Sequence, residues 1–187
     1  MSYLADVKTE QYITETQRWI ANFVIGLNLC PFARVPYDKG RIRYRVYTGD
    51  NAEELAMLLA DETLLLQNTP PEETETTLLI HPRVLTDFLD YNDFLSLADN
   101  ILLQTGAGDS LQIASFHPDY QFAETQPDDA ENFTNRSPYP MLHLLREASV
   151  SRATEHHPDP AAIPDRNIAL LRGMQREEIL RLAGKKF

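Results

Sequence analysis

Residues 76–82, TTLLIHP, are a short apolar run closed by a histidine and a proline, and residues 111–118, LQIASFHP, repeat this pattern. Short apolar runs bounded by turn residues are typical of strands, and TTLLI is apolar enough to predict a central strand buried on both faces. A third segment, RIRYRVY at 41–47, alternates apolar and basic residues. Such alternation predicts a half-buried strand near the edge of a sheet.

Helical patterns separate these strands. Apolar residues recur every three or four positions over 7–28, 50–67 and 84–104, and a further helix is predicted from Met141 to about Arg152. Asp50 or Asn51 is placed to cap the second helix. Strands that alternate with helices favour parallel pairing through right-handed crossovers. The sequence therefore predicts an α/β fold with a small three-stranded, mostly parallel sheet and helices on both faces.

The length of the chain predicts one globular domain, 1–187, in which residues 151–187 form a connector and a helical C-terminal tail. Cys30 is the only cysteine, which excludes an internal disulfide and is typical of a reducing compartment. The first residues lack the basic start and apolar stretch of a signal peptide, and no run reaches the roughly 18 apolar residues of a membrane span. We therefore expect a soluble, cytoplasmic protein.

The charge balance is acidic, with 17 Lys and Arg against 28 Asp and Glu and a net charge of −11. Such a surface repels phosphate backbones and anionic lipid, so we expect neither a nucleic acid nor a membrane as a partner. Arg41, Arg43 and Arg45 form a local basic strip on one face of the first strand. Two interpretations of this strip are open: it steers an anionic ligand, or it forms ion pairs with the acidic helix that follows.

The histidines after the second and third strands predict the position of a functional site. In open parallel sheets, ligands bind beyond the carboxyl ends of the strands, so His81 and His117 are expected to lie at the same edge. The segment 117–140, which begins at the second histidine, contains four prolines and no regular periodicity. Irregular segments of this length in a compact domain are usually functional or disordered, and its aromatic residues favour order.

This segment supplies candidate residues for an enzyme that acts on a small anionic metabolite. His117 is the candidate general base, and Asp128 or Asp129 is the candidate group that orients it. Arg136 precedes a predicted helix N-terminus and is placed to clamp an anionic group. The open alternative for Arg136 is an ion pair with a nearby acidic residue. The remaining candidates for substrate binding are Asn135, Tyr139, His81 and Cys30.

The sequence identifies no cofactor, and a divalent metal ion is one open alternative. His117, His143 and Asp119 offer the nitrogen and oxygen ligands that such an ion accepts. A turn-rich loop without metal explains the same residues, because Asp and Asn side chains bond to nearby backbone. Two other functions are open: a non-catalytic module that binds a metabolite or a protein, and a thiol enzyme in which a histidine activates Cys30. The oligomeric state is not determined by the sequence.

Five segments spread over nearly the whole chain resemble an uncharacterised bacterial family, known only as a domain of unknown function. They are NLCPFA (28–33), TTLLI (76–80), DFLDYNDFL (87–95), SFHPDYQF (115–122) and TNRSPYPMLHLLRE (134–147). The resemblance implies a single soluble domain. Because the family has no established activity, substrate, cofactor or catalytic residues, the resemblance assigns no role to any residue.

Overall fold

The structure, a computed structural model, describes residues 2–184, and the side chains of residues 7–184. Within that range the fold is mixed α/β with one four-stranded sheet of order β1-β2-β4-β3. The strands are β1 (Ile42–Val46), β2 (Thr76–Ile80), β3 (Leu111–Phe116) and β4 (Met141–Arg146). β1 is parallel to β2, whereas β4 is antiparallel to both of its neighbours, β2 and β3. β1, β2 and β3 therefore run in the same direction.

The helices of the described range lie before, between and after the strands. They are α1 (Ser2–Trp19), which continues into a π-helix (Ile20–Ile25), then α2 (Arg34–Asp38), α3 (Ala52–Asn68), α4 (Phe88–Gln104), a 3-10 helix (Ala130–Thr134), α5 (Glu147–Glu155), α6 (Ile163–Arg172) and α7 (Arg176–Leu182). The Asn51 side chain caps α3. The predicted helical tail corresponds to α6 and α7, and its last three residues, 185–187, lie outside the described residues. Of the described helices, none has the length and apolar character needed to cross a membrane.

The fourth strand shows that the helix predicted from Met141 to Arg152 was wrong in its first half. Met141–Arg146 is β4, and helix begins only at Glu147. Met, Leu and Arg favour helices intrinsically, but tertiary contacts override such weak preferences. Here the segment pairs with β2 on one side and β3 on the other, which satisfies its backbone groups in two ladders. The sheet is consequently mixed and four-stranded rather than three-stranded and mostly parallel.

The two faces of the sheet contribute to two apolar cores. One face packs under α3 and α4 in a cluster that includes Leu59, Leu79 and Tyr91. The other face packs under α1 and the π-helix, where Phe23 and Leu78 are buried. Helices therefore cover both faces, as predicted. All five residues of β2 are buried, which agrees with the internal position expected for TTLLI.

The basic strip of β1 is divided between two environments. The Arg43 guanidinium binds both carboxylate oxygens of Glu62 in α3, at 2.7 and 2.9 Å. The Arg45 Nε atom lies 3.6 Å from the same carboxylate. Glu62 is only 3% exposed, so these guanidinium groups supply the charge that it needs when it is buried. Arg41 lies before the start of β1 and has no ion pair among the described residues.

We expect Glu62→Ala to lower the free energy of unfolding by about 2 kcal/mol, because it leaves the Arg43 guanidinium partly buried without its carboxylate. Urea denaturation of both proteins measures the difference. The control is Asp61→Ala, which removes an exposed carboxylate one position earlier in the same helix. If the two variants lose the same stability, the pair between Glu62 and β1 contributes nothing specific.

Candidate functional site

The predicted edge of the sheet contains a closed cluster of aromatic rings. His81 follows β2 and His117 follows β3, and both side chains are fully buried. The ring of Tyr91, from α4, lies against both, with centroid distances of 5.8 Å to His81 and 5.1 Å to His117. The parallel direction of β2 and β3 therefore brings the two histidines to one edge. They form part of the core there, because α4 and the following loop cover the edge.

Hydrogen bonds define the protonation of both rings. The Nδ1 atom of His81 lies 3.0 Å from the carbonyl oxygen of Val84, so Nδ1 carries the proton and Nε2 carries the lone pair. Burial lowers the pKa of His81 to about 4. The Nε2 atom of His81 has no hydrogen-bond partner among the described residues. The Nδ1 atom of His117 accepts the backbone N–H of Asp119 at 3.0 Å, which places the proton of the neutral ring on Nε2.

Arg136 forms hydrogen bonds within the loop that follows β3. Its Nε donates to the carbonyl oxygen of Tyr120 at 3.0 Å, and its Nη2 donates to that of Pro127 at 2.6 Å. The guanidinium carbon lies 4.8 Å from the centroid of the Phe133 ring. Burial lowers the pKa of Arg136. The helix expected after this residue is β4, so no helix N-terminus adjoins the guanidinium. Arg136 therefore holds the loop together.

The other candidates from this loop also have protein partners. The Asp128 carboxylate pairs with Arg176 at 3.0 Å, and the Asp129 carboxylate accepts the backbone N–H of Gln126 at 2.7 Å. The Asn135 amide donates to the carbonyl oxygen of Ser115 at 3.1 Å. The Tyr139 hydroxyl donates to the Glu15 carboxylate. These bonds order residues 117–140 and account for the many Asx residues in that segment.

The residues proposed as metal ligands do not converge. His117 packs against Tyr91 of α4, whereas His143 points from β4 toward the opposite face of the sheet, beneath α1. Across the residues that the structure describes, no group of three or more His, Cys, Asp or Glu side chains could hold a metal ion. The helix predicted from Met141 would place His143 in its first turn. In the structure, His143 lies instead in the middle of β4.

A cavity of about 710 Å³ lies on that opposite face. Its floor is formed by β3 and β4, with Ala114, Phe116 and His143, and its walls come from α1, the NLCPF segment and α5. Trp19 lines its apolar end, where the indole packs edge-on against Phe116 with a centroid distance of 5.4 Å. Pockets that hold small molecules have this range of volume and are mostly apolar with a few polar groups.

The mouth of this cavity is positively charged. Arg41, Arg146 and Arg152 line it together with one carboxylate, that of Glu75. The Arg152 guanidinium donates to the Ser149 hydroxyl at 3.2 Å. Arg146 lies near two carboxylates, Glu75 and Glu72, whereas Arg41 and Arg152 have no ion pair among the described residues, so these two supply the local positive charge on a chain whose net charge is −11. Such a site attracts anions by long-range electrostatics.

Arg146 is the most constrained of these three residues. Its Nη2 donates to the carbonyl oxygens of Leu66, Thr69 and Thr74 at 2.5 to 2.9 Å, which fixes the plane of the guanidinium. Its Nε is buried without a hydrogen-bond partner among the described residues. Arg146, Ser149 and Arg152 also line a second cavity of about 600 Å³. The positive mouth therefore adjoins both cavities.

His143 supplies a polar group inside the apolar part of the cavity. The Thr76 hydroxyl donates its one proton to the carbonyl oxygen of Leu144 and lies 2.7 Å from the Nε2 atom of His143. Because the hydroxyl proton is already used, Nε2 must donate to the Thr76 oxygen. The neutral ring thus carries its proton on Nε2 and a lone pair on Nδ1. Burial lowers the pKa of His143 to about 4, so the ring is neutral at pH 7.

Cys30 also lines the cavity, and its environment keeps the thiol protonated. Burial raises the pKa of Cys30, and the backbone N–H groups of Phe32 and Ala33 oppose this effect only in part. A nucleophilic cysteine needs the opposite shift, toward the thiolate. The geometry accordingly favours Cys30 as a wall residue over Cys30 as a nucleophile.

The charged end of this cavity lies at the other end of the strands from the site predicted at His81 and His117. The charged mouth lies near Arg41 and Glu75, which precede β1 and β2, and near Arg146 at the end of the antiparallel β4. These are the amino ends of the parallel strands. The sequence signal for the mouth was the basic strip at 41–45, whose first residue is the one without an ion pair.

Three comparisons with known proteins complete these observations. The model of one protein family, described as "Protein of unknown function (DUF1415)", matches residues 11–181. No curated protein and no solved structure matches the chain.

Proposed function

Since the chain belongs to the DUF1415 family of proteins of unknown function, we propose its function from its geometry: it binds a small molecule that has an elongated apolar body and an anionic group. The binding site is the cavity between the sheet, α1 and α5. The anionic small molecule expected from the sequence is retained in this proposal, but its site moves from the His81 and His117 edge to the opposite end of the sheet. A cytoplasmic location belongs to the same proposal, supported by the lone cysteine.

One observation carries the proposal: the guanidinium groups of Arg41 and Arg152 line an apolar cavity of about 710 Å³, and neither has an ion pair among the described residues. The apolar walls gain free energy when they and the body of a ligand leave water, at roughly 25 cal/mol per Å² of apolar area. The arginines bind a carboxylate or phosphate that stays at the mouth. A wholly apolar ligand would leave the arginines without an anion, and a small inorganic anion would leave the cavity unfilled.

The shape of the cavity favours an elongated ligand. Its floor includes Gln112 and Phe116 on β3. Four residues of extended strand separate these positions by roughly 13 Å. Phe116 and Trp19 close the apolar end, and the arginines lie toward the other end. A straight aliphatic chain with a terminal carboxylate therefore matches both the length and the polarity of the cavity.

Fluorescence titration with decanoate tests this proposal, because Trp19 is the only tryptophan of the chain and lines the cavity. We expect decanoate to change the Trp19 emission in a saturable manner and to bind more tightly than decanol. Arg41→Gln is expected to weaken decanoate binding by about fivefold, the effect of one partly screened charged hydrogen bond. The matched control is Arg34→Gln, since Arg34 is exposed and does not line the cavity.

A second pair of variants tests the position of the site. Ala153→Phe adds a ring at a residue of α5 that lines the cavity, whereas Ser151→Phe adds the same ring at an exposed position of that helix. We expect the first variant to abolish decanoate binding and the second to leave it unchanged. Equal binding by both variants, or equal affinity of the wild-type protein for decanoate and decanol, would overturn the proposal.

A further inference from the structure

The imidazole of His143 is an unusual group for the wall of an apolar cavity. It lies in the middle of β4, opposite Ala114 of β3 and Leu78 of β2. Its neighbours on the floor are apolar, and the Phe116 ring lies 6.1 Å away between centroids. A polar group in such surroundings is costly unless its hydrogen-bonding atoms have partners. Its Nε2 atom has one in Thr76, at 2.7 Å.

Nδ1 is the second hydrogen-bonding atom of the His143 ring. The hydrogen bond to Thr76 uses Nε2 and leaves Nδ1 on the ring of a residue that lines the cavity. Thr76 fixes the chemical character of Nδ1, because the Thr76 hydroxyl donates to Leu144 and can only accept from Nε2. Nδ1 therefore offers a fixed lone pair and no proton. Nδ1 consequently favours a ligand group that donates a hydrogen bond over one that can only accept.

We propose that His143 accepts a hydrogen bond from a hydroxyl group on the ligand, so that the cavity takes a hydroxylated apolar carboxylate in preference to a plain one. This inference rests on the proposed function and adds the chemical class of the ligand. Its specificity follows from the cost of a buried polar group: the hydroxyl finds a partner in Nδ1 that a plain aliphatic chain leaves unused.

The register of the sheet indicates where the hydroxyl is located on the ligand. His143 pairs with Leu78, which pairs with Tyr44 of β1, and Arg41 precedes Tyr44 by three residues. At the rise of an extended strand, His143 and Arg41 are separated by roughly 10 Å along the strand direction. A hydroxyl that reaches His143 while the carboxylate stays among the mouth arginines is therefore distant from the carboxylate, not adjacent to it.

Three matched ligands test the inference: decanoate, ω-hydroxydecanoate with the hydroxyl at the far end, and α-hydroxydecanoate with the hydroxyl beside the carboxylate. We expect wild-type protein to favour the ω-hydroxy ligand over the α-hydroxy ligand. His143→Phe keeps an aromatic ring but removes both nitrogens. Between wild-type and His143→Phe protein, the ratio of the affinities for ω-hydroxydecanoate and decanoate is expected to fall by about tenfold.

A spectroscopic measurement separates recognition from a merely structural role of His143. The ring nitrogen chemical shifts of wild-type protein are expected to show a proton on Nε2 only. Addition of ω-hydroxydecanoate should move the Nδ1 resonance, and addition of decanoate should not. In Thr76→Val protein, the loss of the acceptor for Nε2 is expected to populate both tautomers and to reduce the preference for the ω-hydroxy ligand.

The outcomes are distinguishable. If wild-type protein does not bind decanoate at all, the proposed function fails. If it binds decanoate and ω-hydroxydecanoate in the same ratio before and after His143→Phe, the cavity is a ligand site but His143 does not recognise a hydroxyl, and this inference is overturned. An Nδ1 resonance that responds equally to both ligands overturns it as well, even where the variant does not fold.

Discussion

Between pH 6.5 and pH 4, the free energy of unfolding is expected to fall by about 3 kcal/mol through the fully buried His81, and by a smaller amount through His143, which is partly exposed beside the cavity. Burial lowers the pKa of both from 6.5 to about 4. The unfolded chain therefore binds more protons than the folded chain throughout this interval. Stability is retained above the unfolded pKa and is lost progressively as the pH decreases toward the folded pKa.

Urea denaturation at several pH values between 4 and 7 measures this loss. His81 contributes a slope of about 1.4 kcal/mol per pH unit in the middle of the interval, and His143 contributes a smaller one. His81→Asn keeps a donor for the carbonyl oxygen of Val84 and removes one titrating group, so it should remove the larger part of the slope that these two histidines contribute. The double variant with His143→Phe should remove the rest. If the slopes of wild-type and doubly substituted protein coincide, the two rings are not held neutral by burial.

The strands that could be predicted from the sequence are those whose pattern has one structural explanation. TTLLI is entirely apolar and lies inside the sheet, and RIRYRV alternates and lies at its edge. MLHLLR has no such pattern, because Leu, Met and Arg are good helix formers. Its strand conformation results from the two ladders that β2 and β3 offer, and neither neighbour is visible in the local sequence. Prediction of β4 would have required knowledge of its pairing partners, which are distant along the chain.

The same strand explains why the candidate site was only partly predictable. The common direction of β2 and β3 correctly brings His81 and His117 to one edge. However, the loop after β3 folds over that edge. The Arg136 guanidinium donates hydrogen bonds to the carbonyl oxygens of Tyr120 and Pro127 within this loop. Insertion of β4 also turns His143 onto the other face. The cavity is formed by residues far apart in the chain, from Trp19 to His156, so no single motif could reveal it.

The two histidine environments show how one residue type serves different purposes in this fold. His81 satisfies a backbone carbonyl at the end of β2 and is enclosed by core rings. His143 is held by a hydroxyl behind it and presents its other nitrogen to a cavity large enough for a ligand. Both are neutral at pH 7 for the same reason, which is burial. Only the second has space beside its lone pair for a molecule to bind.

Tyr91→Phe is expected to lower the free energy of unfolding by about 3 kcal/mol, although it removes only one oxygen atom. The Tyr91 hydroxyl donates to the carbonyl oxygen of Met141 at 2.8 Å and accepts the backbone N–H of Phe116 at 3.0 Å. It therefore joins the first residue of β4 to the last residue of β3. Without it, two backbone groups at the buried end of the sheet lose a partner, at about 1 to 3 kcal/mol each.

The control for this substitution is Tyr47→Phe, which removes a hydroxyl whose hydrogen bonds to Glu54 and Asn51 are exposed to solvent. Its expected effect is within about 0.5 kcal/mol, as for most surface changes. Amide hydrogen exchange locates the difference: the N–H of Phe116 should lose protection in Tyr91→Phe protein, while amides in the middle of β2 should change only with global stability. Since this end of the sheet contacts His81 and His117 but not the mouth arginines, decanoate binding should persist in the folded Tyr91→Phe variant. Loss of decanoate binding without loss of stability would show that the cavity depends on the Tyr91 hydroxyl through Phe116, which is held by that bond and lines the cavity.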